Sequence, residues 1–136
     1  MRTLGRFVIG TLAAFCLVWL SVFVYGLLVA YLPIPRYWWK AYAATIYGTE
    51  IVAFVPFAIV IALLSCKLFP RHAVASSLVC TLAAVIALFV PRALDSYDLL
   101  LSSLRINAEF ILLFVVGVPL VVFTIQRWGA NRSIQS

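Results

Sequence analysis

Glu50 is the one formal charge set well inside any of the four long apolar runs of this chain, and Glu109 stands in the first turn of the fourth. A carboxylate surrounded by hydrocarbon is costly unless it is paired, protonated or turned to water, so Glu50 is expected to face a bundle interior or a polar cleft. Its expected partners are Arg105 and Lys40, because the second and fourth runs start on the same side and bring Glu50 and Glu109 to related depths. Arg105 and Glu109 are also four residues apart, a spacing that pairs side chains on one helix face. A binding cluster of Glu50, Arg105 and Glu109 is the expectation. Three chemistries remain open for it. Two acids beside one base can exchange a proton or a cation for a substrate, the same set can clamp helices together, or Glu50 can lie shallow enough to reach water. Depth separates them.

Other reactive residue types are scattered. Cys16, Cys66 and Cys80 form no C-x-x-C pair and lie in or beside apolar runs, which suits packing better than thiol exchange. His72, the single histidine, cannot supply a bis-histidine haem site and is expected to meet headgroups or cap a helix. No His, Cys and carboxylate cluster has metal-ligand spacing. There is neither a nucleophile elbow nor a Gly-rich phosphate loop, and the connectors are too short for a soluble catalytic domain. The reading is a protein that is not an enzyme and holds no cofactor or metal.

The elements that must position these residues are transmembrane. Of 136 residues, 66% are hydrophobic and 10% charged, too little polar surface to coat a water-soluble domain. Continuous apolar runs lack the in-out alternation of a barrel wall, so the fold class is an all-α integral membrane protein. It forms a single membrane domain over 1–136, with four transmembrane helices at about 7–32, 41–66, 73–90 and 108–126. The first is long enough, at about 1.5 Å per residue, to cross a ~30 Å core with tilt. Pro56 should kink the second. Pro91 and Arg92 should end the third. Arg2 and Arg6 before an apolar stretch resemble a signal peptide, but the stretch is too long for a signal core, so Met1 is expected in the mature chain.

Charge sets the expected orientation. An even number of spans gathers Arg2, Arg6, Lys67, Arg71, Arg127 and Arg132 on one side, six basic residues without an acid. Arg36, Lys40, Arg92 and Arg105 fall on the other, diluted by Asp95 and Asp98. The positive-inside rule then places both termini in the cytoplasm, in a cell inner (plasma) membrane. The net charge of +6 reads as this bias plus attraction to anionic headgroups, with no nucleic-acid footprint.

Tyr37, Trp38 and Trp39 in the first connector, and Trp128 beyond the fourth run, are expected at membrane interfaces, where amphipathic rings are favoured. Connector 91–107 carries Leu94, Tyr97, Leu101 and Leu104 at helical spacing, which predicts a short amphipathic interfacial helix between the third and fourth spans. Small residues at four-residue spacing, Ser76, Cys80 and Ala84, predict a centrally packed third helix, and Gly10 and Ala14 a close crossing of the first.

Function follows mainly by exclusion. The leading expectation is a non-enzymatic inner-membrane protein acting through helix-helix contacts with a membrane partner. It would be an accessory subunit of an envelope complex or an immunity protein against a membrane-inserting toxin. Besides the lipid bilayer, its partner would be another membrane protein or a second copy of the chain. The alternative is a small oligomeric proton- or cation-coupled transporter using Glu50.

Overall fold

A computed structural model describes residues 2–32 and 39–135, with side chains described except at 39–43, 92, 99, 103, 106 and 132–135. Five helices follow in order: α1 (Arg2–Tyr31), α2 (Trp39–Leu68), α3 (Ala73–Asp95), α4 (Tyr97–Ile106) and α5 (Ala108–Gln135). No strand occurs among the described residues. Four of the helices are long and apolar enough to cross a membrane, over Arg2–Tyr31, Ala44–Leu68, Ala73–Asp95 and Ala108–Asn131.

Three boundaries differ from the sequence expectation. α1 begins at Arg2, because charged residues at a helix end cost nothing once they project past the hydrocarbon; its 30 residues rise about 45 Å. α3 runs through Pro91 to Asp95. The proline forfeits only the hydrogen bond to the Ala87 carbonyl, and a single lost bond near a helix end does not stop the remaining turn. α5 runs on past the expected end at 126 to Gln135, while α2 stays one helix through Pro56, as one span was expected there.

The ends are capped by backbone carbonyls of residues suited to the task. Ser76 N–H donates to the His72 carbonyl at 2.9 Å, Leu100 N–H to that of Ser96 at 3.1 Å, and Ile111 N–H to that of Asn107 at 2.9 Å. His72, Ser96 and Asn107 are therefore the N-caps of α3, α4 and α5, and Ser and Asn are favoured there. Asp98 and Glu109 fall in the first turns that follow, where the helix dipole favours negative charge.

α1 and α5 occupy opposite corners of the bundle, each packed against both α2 and α3, which meet across the short diagonal. Aromatic pairs fix the directions. Phe7 meets Phe69 at 4.7 Å between centroids and Tyr25 meets Phe54 at 5.4 Å, so α1 and α2 are antiparallel. Phe54 meets Phe110 at 4.9 Å and Gln126 Nε2 donates to the Pro70 carbonyl at 3.4 Å, so α2 and α5 run parallel. The start of α1, the α2–α3 turn and the end of α5 consequently share one end of the bundle.

Apart from the buried Phe54, Phe110 and Phe114 and a few other large side chains, many interior positions carry small residues while many large apolar ones face outward. Ala14, Ala58, Ala62, Ser77, Cys80, Thr81 and Ala84 are buried, while Leu12, Trp19, Ile51, Leu63, Ile86 and Leu120 are exposed. In lipid the apolar exterior costs nothing, and close backbone approach supplies the dispersion energy. Gly10 shows this most clearly. A Cβ there would lie 3.2 Å from Cys80 Sγ and 3.3 Å from the Phe69 ring, so α1 sits close against α3 and the α2–α3 turn, and even a methyl would require those side chains to give slightly. The buried hydroxyls stay within their own helices, Ser21 donating to the Val18 carbonyl at 2.7 Å, Ser65 to Ile61 at 2.9 Å and Thr81 to Ser77 at 2.7 Å. No buried side-chain polar atom among the described residues lacks a partner.

Candidate functional site

Glu50 lies on α2, about three helical turns from Trp39. It is half-buried, and Glu109 in the first turn of α5 is exposed beside it. The two acids line the same two clefts. The parallel course of α2 and α5 brings the two acids together, as the sequence suggested. α2 extends past this level while α5 begins at it, so Glu50 is deep along its own helix yet level with the α4–α5 junction.

Two clefts open on either side of the pair. One, about 220 Å³, is lined by Tyr47, Glu50, Ile51, Phe54, Glu109 and Phe110, with Leu113 below. The other, about 130 Å³ on the α1 side, adds Val22, Tyr25 and Asn107 to the shared Glu50, Phe54, Glu109 and Phe110. Beneath both lies an aromatic floor. Phe110 and Phe114 stand 5.1 Å apart, Phe54 and Phe114 6.0 Å, and Phe114 is wholly buried. The floor closes the clefts toward the bundle centre.

Arg105 is not brought to the pair in the expected way. It stands in the last turn of α4, and the helix breaks at Asn107 before Glu109 begins α5. Four-residue spacing pairs side chains only along a continuous helix, so the break removes that geometry. Arg105 is exposed and lines neither cleft, and no ion pair joins it to Glu50 or Glu109 among the described residues. The Lys40 side chain lies outside the described residues.

Tyr37 and Trp38 also lie outside the described residues. Trp39 is the first residue of α2, its side chain not described. Trp128 is on α5 at the opposite end of the bundle, largely exposed, beside Arg127 in a shallow cavity of about 280 Å³. The three cysteines are free, and no group of three His, Cys, Asp or Glu side chains able to hold a metal occurs among the described residues.

Sequence reasoning did not single out the aromatic floor. Its signal was present in Phe110 and Phe114, one turn apart directly after Glu109. It was hidden because phenylalanine is as common on lipid-facing positions as on interior ones.

Chemically, the arrangement offers two carboxylates in shared clefts of an apolar bundle, able to accept hydrogen bonds or a positive charge, with the Phe54 and Phe110 rings in the lining. No protein-family model matches this chain, and neither a curated protein nor a solved structure is detectably similar to it.

Proposed function

We propose that this protein is a non-enzymatic membrane protein acting through helix-helix contacts, and that the Glu50 and Glu109 pair is where a partner docks. The observation that carries this reading is that Glu50 and Glu109 line the same two clefts and that no basic side chain among the described residues lines either. Like charges held together in a low-dielectric setting are costly, and a Lys or Arg from a partner span relieves both at once. Both partner types expected from the sequence, an accessory-complex subunit and a membrane-inserting toxin countered by an immunity protein, can present such a residue. The bilayer is an inner (plasma) membrane, with the six-residue basic end in the cytoplasm. α4 lies along the opposite interface, its apolar face turned to lipid: Tyr97 and Leu101 are exposed on it.

Native-detergent purification from source membranes tests this. The expected result is a stoichiometric membrane partner that is retained by the unmodified protein and lost from the Glu50→Gln/Glu109→Gln variant. Equal retention by both would overturn the reading.

The adjacency of the two acids also favours a second reading, proton- or cation-coupled transport by an oligomer. There, Glu50→Gln abolishes pH-driven flux in proteoliposomes. The aromatic floor under the clefts weighs against a path through one chain.

A further inference from the structure

At the end of the bundle away from the acid pair, a cleft of about 500 Å³ opens between the start of α1 and the α2–α3 turn. Its rim carries Arg6 from α1 and Arg71 and His72 from the turn. Its walls are mainly apolar, with Phe7 from α1, Phe69 from the turn and Ala75 and Val79 from α3. We propose that this cleft binds one anionic phospholipid, its phosphate held by Arg6, Arg71 and His72 and the first part of an acyl chain laid against Phe7 and Val79.

Three independent features carry this. First, all four acids of the chain lie elsewhere: Glu50 and Glu109 at the other end, and Asp95 and Asp98 at the α3–α4 junction. The basic rim therefore has no internal counter-ion, and Arg2, Lys67 and Arg127 at the same end add to the attraction for an anion. Second, the elements that form the cleft contact one another directly. The chain reverses between α2 and α3 in four residues, with Phe69 N–H donating to the Ser65 carbonyl at 2.9 Å and His72 N–H to the Phe69 carbonyl at 3.2 Å. Gln126 fastens the turn to α5 through the Pro70 carbonyl. The Phe7 and Phe69 rings pack at 4.7 Å, and Gly10 lets α1 close on them. The two arginines thus line one cleft from separate elements, α1 and the α2–α3 turn, and a planar guanidinium suits phosphate.

Third, the lining is amphipathic in the order a lipid requires, charge at the rim and hydrocarbon along the wall. A free inorganic anion would use only the rim. A phospholipid already concentrated in the leaflet uses both, and so is the fitting occupant.

Native mass spectrometry of the full chain in non-ionic detergent, titrated with phosphatidylglycerol or phosphatidylcholine, tests the assignment. One equivalent of phosphatidylglycerol should be held in preference to phosphatidylcholine. Arg6→Gln and Arg71→Gln should each weaken it about 5-fold and the double variant about 25-fold. Ala75→Phe, which fills the cleft but keeps its charges, should weaken it too, and this arm stands should the arginine variants fail to fold. Arg127→Gln, at the same end but outside the cleft, should weaken retention much less than either cleft substitution. Millimolar inorganic phosphate should not displace the lipid. Equal retention of the two lipids, displacement by inorganic phosphate, an undiminished affinity in Ala75→Phe, or a loss in Arg127→Gln matching that of the cleft arginines would each overturn the proposal.

Discussion

At the scale of single residues, the acid pair is defined by what surrounds it. Glu50 and Glu109 line one cleft with Phe54 and Phe110, and the sequence-adjacent base, Arg105, stands on a separate helix. A clamp between helices would need that base, since a carboxylate pair alone repels. Glu109→Gln in the isolated protein is therefore expected not to lower the melting temperature in detergent. A clear drop would mean that Glu109 holds the bundle together. The aromatic floor behaves oppositely. Phe114 is fully buried, and Phe114→Ala leaves a void that neighbouring rings cannot fill. Because lipid is itself apolar, the transfer contribution is small and the cavity dominates, at about 2 kcal/mol. Chemical denaturation in detergent measures it, and a change within error would show that the floor is loosely packed.

At the scale of helices, the interior is fixed by small residues. Gly10→Leu should destabilise the bundle by about 1–3 kcal/mol, since its side chain would collide with Cys80 and Phe69, whereas Gly26→Ala, which meets nothing within 4 Å, should be tolerated. Equal behaviour of the two would contradict the close crossing of α1 and α3. The Gly10 and Ala14 crossing and the Ser76, Cys80 and Ala84 face of α3 were legible in the sequence, because small residues at four-residue spacing have few other uses in lipid. The four spans were legible for the same reason, being long and nearly free of charge. Less legible were the places where helices end. Pro91 does not terminate α3, and Asn107 separates Arg105 from Glu109, because capping at a membrane boundary depends on local hydrogen bonding that hydropathy does not register. The site was therefore half visible. The adjacency of the acids followed from the shared direction of the second and fourth spans, while the absence of Arg105 from the clefts followed from a helix break no spacing rule reveals.

At the scale of the whole molecule, the charges are segregated. Arg2, Arg6, Lys67, Arg71, Arg127 and Arg132 share one end without an acid, and the clefts with the carboxylates open at the other. In a background lacking the three native cysteines, Thr3→Cys and Asn131→Cys should be labelled by an impermeant maleimide from the same face of the membrane, and Tyr97→Cys only from the opposite face. Labelling of Thr3→Cys and Tyr97→Cys from one face would break the four-span arrangement. On the two proposals made above, the basic end would bind lipid and the end with the carboxylates a partner span. The most direct test of partner docking is photo-crosslinking from position 47, at the mouth of the larger acid cleft, in source membranes. The expected result is one protein adduct whose cross-linked span carries a Lys or Arg, formed with the unmodified pair and lost in Glu50→Gln/Glu109→Gln. Adducts to lipid alone, or a protein adduct indifferent to both substitutions, would contradict the account.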